Sequence, residues 1–301
     1  MKPTIGGIHH ITAISADPQQ TLDFYSGFLG LRLVKKTVNF DDPGTYHFYF
    51  GDYHGRPGTI LTFFPWPGAR RGRAGAGQVT GVALAVPFGA LESWQARARE
   101  EGALVDVIAE RFGERVLRLY DPDGLAIELI ESAAARAEIG VFHSATLNNA
   151  DPGLLTNTLG FRETARAGAR VRYEAGAGGH GATVDIETTA DRRGAIGAGT
   201  VHHIAWRTPD DEQQLAWRSE LITARHEPTP VIDRQYFHSI YFREPGGVLY
   251  EIATEPPGFT VDEPLEALGS ELRLPPQYEP MRARIEAVLP AVRPPGVIMK
   301  V

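Results

Sequence analysis

Apolar residues recur along the chain in one order, four times over: a short strand-like run, a stretch with helical spacing, then two or three further strand-like runs. The first round opens on Gly7-Ile8-His9-His10-Ile11-Thr12-Ala13-Ile14. Asp17 is a candidate helix cap, and Pro18 suits the first helical position, where its missing N–H does no harm. Leu22, Tyr25 and Leu29 form the apolar face of that helix, and Gly30 is its stop. Strands follow over 31–38, 46–50 and 59–64.

The second round starts at Thr80, with a helix over 90–101 and strands over 116–120 and 125–130 about the turn Asp121-Pro122-Asp123-Gly124. The third starts at Val141-Phe142-His143-Ser144, with a short helix after Asp151-Pro152 and strands over 170–174 and 182–187. The fourth starts at Val201-His202-His203-Ile204-Ala205-Trp206, with a helix over 210–224 and strands over 239–242 and 248–253.

This order predicts an α+β fold of four βαβββ modules, at residues 5–66, 78–132, 140–189 and 198–256, with a Pro-rich C-terminal extension over 257–301 and a helix near 280–288. One such unit is too small to bury its own sheet face. Two can share a core, so four make two domains.

Composition narrows the chemistry. None of the 301 residues is Cys, which excludes disulfides, iron–sulfur clusters, thiolate zinc sites and cysteine nucleophiles. A chain that is stable without disulfides points to the cytoplasm. The N-terminus runs straight into a strand with no apolar leader region, and no apolar run is long enough to span a membrane. Lys plus Arg number 30 against 37 Asp plus Glu, so no basic footprint for nucleic acid or an anionic membrane is expected. The glycine-rich run 175–181 lacks the Lys-Ser or Lys-Thr of a phosphate loop and reads as a hairpin loop. Any bound metal must take nitrogen and oxygen ligands.

Two His-His pairs open equivalent strands, and aligning Ile8-His9-His10-Ile11-Thr12 with Val201-His202-His203-Ile204-Ala205 pairs His10 with His203. Neighbouring strand residues point to opposite faces, so one of each pair is expected to face a given cleft, with Thr12 on the face of His10. Glu251 stands in an apolar strand, where a carboxylate is costly unless paired or bound to a cation. Two histidines and one carboxylate suit an octahedral metal with open positions, as in non-haem Fe(II) oxygenases.

Counted from the glycine before each last strand, Glu128 and Thr62 match Glu251 in the second and first modules. His143 and Val82 match the histidine ligands in the third and second, and Glu128 and His143 are expected to be structural. His47 reads as a pocket-wall or core residue. Arg234, His238 and Tyr241 precede the Glu251 strand closely enough to share its cleft, Tyr241 as a proton donor and Arg234 as an oxyanion stabiliser.

These stretches, with Ser239-Ile240-Tyr241-Phe242-Arg243-Glu244-Pro245-Gly246-Gly247 leading into the Glu251 strand and Tyr46-His47-Phe48-Tyr49-Phe50 in the first module, resemble the vicinal oxygen chelate superfamily of glyoxalases, bleomycin resistance proteins and extradiol dioxygenases. Within it the chain is most similar to hydroquinone ring-cleaving dioxygenases. The resemblance implies Fe(II), with Mn(II), Ni(II) or Zn(II) as alternatives, held by His10, His203 and Glu251. It implies that modules 1 and 4 pair around the metal cleft on curved mixed sheets and that modules 2 and 3 pair apart. His202, Tyr241 and Arg234 then take catalytic roles and His9 and Thr12 contact substrate, while His238 is expected to contact substrate from its place shortly before the Glu251 strand.

The expected reactants are a small aromatic hydroquinone or catechol and O2, and the expected assembly a homo-oligomer such as a dimer. The competing readings are a glyoxalase-type isomerase, whose second glutamate would stand where Thr62 does, and a non-catalytic binding or resistance protein of the same fold.

Overall fold

The computed structural model describes residues 3–133, 135, 140–189 and 191–295. The last six residues of the C-terminal extension therefore lie outside the described residues. The strands are β1 (Ile8–Ser15), β2 (Arg32–Asn39), β3 (Asp42–Gly51), β4 (Ile60–Pro65), β5 (Gln78–Val86), β6 (Ala109–Arg111), β7 (Glu114–Tyr120), β8 (Ala126–Glu131), β9 (Phe142–Asn148), β10 (Arg162–Ala167), β11 (Arg170–Glu174), β12 (Thr183–Glu187), β13 (Thr200–Thr208), β14 (Ile232–Asp233), β15 (Phe237–Arg243) and β16 (Leu249–Pro257).

They form two eight-stranded mixed sheets. The first has the order β14-β15-β16-β13-β1-β4-β3-β2, so the first and last quarters of the chain share it. The second, β10-β11-β12-β9-β5-β8-β7-β6, holds the middle. Each sheet is two copies of one pattern about a central antiparallel pair, β1 with β13 and β5 with β9. Parallel neighbours flank each centre, β4 and β16 in one sheet and β8 and β12 in the other. This is the paired-module α+β architecture that the fourfold pattern predicts.

Local chemistry sets the helices. Asp17 accepts from the Gln20 amide at 2.8 Å and starts the helix Pro18–Leu22. That helix does not continue as α but widens to a π-helical stretch over Asp23–Phe28. The expected apolar face of Leu22, Tyr25 and Leu29 is buried, and the wider coil buries Phe24 and Phe28 with it. Asp210 caps Asp211–Thr223 through the Gln213 amide. Three strands carry no apolar signal and are absent from the sequence reading: β6, β10 and β14. β10 reads Arg-Glu-Thr-Ala-Arg-Ala, is largely exposed and closes one edge of its sheet.

One apolar cluster runs through both sheets, from Ile8 and Phe63 to Leu129, Leu147 and Tyr250. Backbone bonds stitch the sheets at their ends, including Ile8 N to Gly181 O at 2.6 Å and Phe142 N to Gly58 O at 3.0 Å. The extension wraps the first sheet. Fully buried Lys35 is held by Asp262 at 2.6 Å and by Glu263, and Phe259 packs on Tyr49 and Tyr236. Among the described residues no helix is long and apolar enough to cross a membrane.

Candidate metal centre and cavity

Strand register brings three ligand groups to one point. His10 on β1 and His203 on β13, 193 residues apart in sequence, place their Nε2 atoms 3.2 Å from each other. Glu251 on β16 brings Oε2 to 3.3 Å from His10 Nε2 and 3.0 Å from His203 Nε2. All three groups are buried, and their ligand atoms lie within 4.8 Å of one another.

Oε2 of Glu251 nonetheless has no partner in hydrogen-bond geometry, although two imidazole nitrogens that pair with each other crowd it. A buried polar atom left in that state fits a cation at the shared focus. The other carboxylate oxygen accepts from the Ser239 hydroxyl, which fixes the rotamer. Burial would raise the Glu251 pKa, but His10 and His203 outweigh it and hold the carboxyl well below the usual range.

The His-His pairs depart from simple strand alternation. In the β1–β13 register Ile8 faces Trp206 and His10 faces Ala205, and then Thr12 faces His203 and Ala13 faces Val201. His9 and His202 are thus the extra residues of two β-bulges. A bulge re-aims side chains, so adjacent residues no longer point to opposite faces. The expectation that only one member of each pair faces the cleft holds for the first pair, where His10 lines the cavity and His9 does not, and is corrected for the second, where His202 and His203 both line it.

Each bulged histidine also backs its neighbour, His9 Nδ1 at 2.9 Å from His10 Nδ1 and His202 Nδ1 at 2.8 Å from His203 Nδ1. Ligation through Nε2 requires the proton of His10 and His203 to sit on Nδ1. His9 and His202 must then accept at Nδ1 and carry their own protons on Nε2. Burial, reinforced by the adjacent histidine, lowers both pKa values to about 3, so both are neutral and able to accept.

The cavity above the centre measures about 550 Å³. Phe40, Phe64, Trp66, Ile232, Phe237 and Leu249 form its apolar walls, and His47, Tyr49, His202, Thr229, Arg234 and Tyr241 its polar spots. Among the described residues none that lines it lies beyond Leu249, so the described part of the C-terminal extension braces the sheet without lining the cavity. Arg234 Nε donates to Tyr241 Oη at 3.1 Å, and its NH1 reaches Asp41 at 3.1 Å. Burial and the charge of Glu251 raise the Tyr241 pKa, so its hydroxyl keeps a proton.

Thr12 lies on the His10 side of β1, opposite Thr62 of β4, with the two hydroxyls 2.8 Å apart. His9 packs against His10 and Phe237 behind the cavity wall. His238 is not in this site. It alternates with Tyr241 on β15, so it faces the other side, where Nδ1 pairs with Asp211 at 2.6 Å.

The second sheet supplies a natural control. Register equates Glu251 with Glu128, Asp185 and Thr62, each beside the matching residue of its central strand. Two positions earlier on those central strands stand His203, Gly81, Ser144 and His10. The expected counterparts Val82 and His143 are therefore each one residue off, because His143 is itself a bulge residue in the β5–β9 register. Where the first sheet collects imidazoles, the second collects guanidiniums. Arg111 grips Glu128 with two bonds of 3.0 and 2.6 Å, Arg118 adds two of 3.2 and 2.7 Å, and Arg172 holds Asp185 at 2.9 Å. His143 pairs with Glu114 at 3.0 Å.

Comparison with known proteins shows the family and the fold. The model of the "Glyoxalase/Bleomycin resistance protein/Dioxygenase superfamily" matches residues 7–129 and 154–252. A Bacillus subtilis (strain 168) protein named "Putative ring-cleaving dioxygenase MhqO" is 49% identical over 296 residues, covering 93% of this chain and 94% of its own. The "Chlorohydroquinone/hydroquinone 1,2-dioxygenase" of Sphingobium indicum (strain DSM 16413) is 37% identical, covering 91% and 93% respectively. Among solved structures, a "putative dioxygenase" of Bacillus subtilis subsp. subtilis str. 168 superposes with a TM-score of 0.92 at 46% identity, over 99% of this chain and 100% of that one. Glyoxalase I of Zea mays, at 14% identity and a TM-score of 0.63 over 83% of this chain and 92% of its own, shares the fold. By sequence, sheet topology and module pairing alike, the chain belongs to the glyoxalase/bleomycin resistance protein/dioxygenase superfamily.

Proposed function

We propose that the protein is an Fe(II)-dependent dioxygenase that opens the ring of a hydroquinone-type aromatic, with His10, His203 and Glu251 as the metal ligands. The observation that carries this reading is a buried two-histidine, one-carboxylate focus beneath an aromatic-walled cavity. Relatives of matching length named as ring-cleaving dioxygenases support it. When bound, Fe(II) would supply a redox-active ion with open positions for a phenolic oxygen and O2 together.

The protein's own groups do the rest. The apolar walls hold the ring and exclude water. His202 offers its Nε2 proton to a ligand oxygen. Arg234 donates to Tyr241 Oη, which turns the Tyr241 hydroxyl proton toward the cavity. The pair can therefore stabilise negative charge on the ring oxygens or on the opened product. Thr62, in place of a second carboxylate, separates this site from a glyoxalase-type isomerase. We take the first sheet as the metal-binding domain and the second as its structural partner.

The test is O2 uptake by anaerobically prepared protein supplied with Fe(II) and, in turn, methylhydroquinone, hydroquinone and catechol. Uptake that requires an aromatic substrate is expected. No uptake with any of them sinks the reading, and Ni(II)- or Zn(II)-dependent turnover of a hemithioacetal would select the isomerase instead.

A further inference from the structure

Beside the proposed ligands, four side chains form one run of hydrogen bonds. Thr12 Oγ1 and Thr62 Oγ1 are 2.8 Å apart, Thr62 Oγ1 and His47 Nε2 2.8 Å, and His47 Nδ1 and Tyr49 Oη 2.9 Å. Burial holds the His47 imidazole well below its ordinary pKa of 6.5, so it is neutral and carries one N–H. Three hydroxyls and one N–H bring four protons to three links. One proton is therefore left over, on Thr12, Thr62 or Tyr49, because both His47 nitrogens are already in links and its one N–H always serves one of them.

The two ends are not alike. Thr12 and Thr62 are both fully buried and neither lines the cavity, and among the described residues Thr12 Oγ1 has Thr62 Oγ1 as its one hydrogen-bond partner. A proton left over there would be an unpaired O–H in the core, which folding penalises. Tyr49 lines the cavity, where a ligand or water can accept. Its ring is wedged edge-on against Phe259 and Tyr236, at centroid distances of 5.1 and 6.0 Å, so it cannot swing away.

We propose that the run is polarised Thr12 to Thr62 to His47 to Tyr49, and that the Tyr49 hydroxyl is a ligand-binding donor for an oxygen of the aromatic substrate. The substrate identity rests on the dioxygenase reading; the polarity does not. His47 acts through Tyr49 as a positioning residue. Its Nε2 accepts from Thr62, its Nδ1–H donates to Tyr49 Oη, and the Tyr49 proton then has nowhere to point but into the cavity. The ligand chemistry this selects is a ring bearing two oxygens, one for the metal centre and a second for Tyr49. Thr62 gains a purpose as well, because a carboxylate there would break the run.

The experiment measures anaerobic binding of hydroquinone and of phenol to Fe(II)-loaded protein, alongside ring cleavage by the wild type. Tyr49→Phe and His47→Gln should weaken hydroquinone about 5- to 10-fold and phenol less than 2-fold, as loss of one hydrogen bond to a second oxygen requires. Equal weakening of both ligands would mean a packing role and overturn the proposal. Wild type that binds and cleaves hydroquinone while both variants bind it unchanged overturns the Tyr49 assignment alone. Wild type that takes up no O2 overturns the dioxygenase reading. Imidazole 15N NMR of Zn(II)-loaded protein, with His47 assigned by its loss in His47→Gln, should show the Nδ1–H tautomer; an Nε2–H tautomer overturns the polarity whatever the substrate.

Discussion

At the scale of single residues, the same sheet position has two fates. Glu251 faces two imidazoles and Glu128 faces two guanidiniums. Glu251→Ala should abolish Mn(II) or Fe(II) binding measured by titration, whereas Glu128→Ala should bind metal normally and lose about 3 kcal/mol of unfolding free energy, because it strips Arg118 of its carboxylate and leaves Arg111 only the longer 3.8 Å contact to Asp185. The reverse pattern would put the metal in the second sheet. Burial would raise the Glu128 pKa, but the two arginines outweigh it and bring it to about 2, below its ordinary 4.5. Its stabilisation is therefore complete above pH 4.5 and is lost as pH falls toward 2. Urea midpoints against pH should drop across that window, and Glu128→Gln should flatten the drop. The ligand candidates were legible because a repeated His-His dipeptide and a carboxylate in an apolar strand are both improbable without a partner. His238 was misread because proximity in sequence says nothing of strand parity, which sends it to Asp211.

At the scale of elements, the apolar runs of β1, β5, β9 and β13 were readable from the sequence because they are buried throughout or nearly so. The bulges were not. An extra residue in one strand leaves no mark on hydropathy, yet it decides that His202 joins His203 in the cavity and that Ser144, not His143, matches the ligand position. Glycine carries a second device at the strand entrances. Gly199 opens β13 with φ +79, its amide donates to Ile14 O at 2.9 Å, and a Cβ there would lie 2.1 Å from Asp123 O. Gly199→Ala should cost about 3 kcal/mol in urea unfolding, from backbone strain and backbone clash together. Gly68→Ala, at φ +76 with open space around it, should cost about 1 kcal/mol. Equal costs would mean that the close approach is unimportant.

At the scale of the whole molecule, the two sheets share one apolar cluster and are bonded at their ends. Unfolding followed by Trp fluorescence and by far-UV circular dichroism should give coincident transitions, and metal at 100 times its Kd should raise the single transition by about 2.7 kcal/mol. Two separate transitions would mean that the sheets fold independently. The nesting of the chain has a further result for its birth on the ribosome. β5 to β12 are consecutive and can close their sheet as soon as they emerge, whereas β1 must wait for β13 and β16, made last. His10 is translated among the first residues and stays a lone imidazole until the final quarter arrives. The nascent chain therefore cannot assemble the proposed metal centre until β13 and β16 have been made. Pulse-labelled hydrogen exchange during refolding should protect the β5 and β9 amides before those of β1 and β13; simultaneous protection would refute this order of assembly.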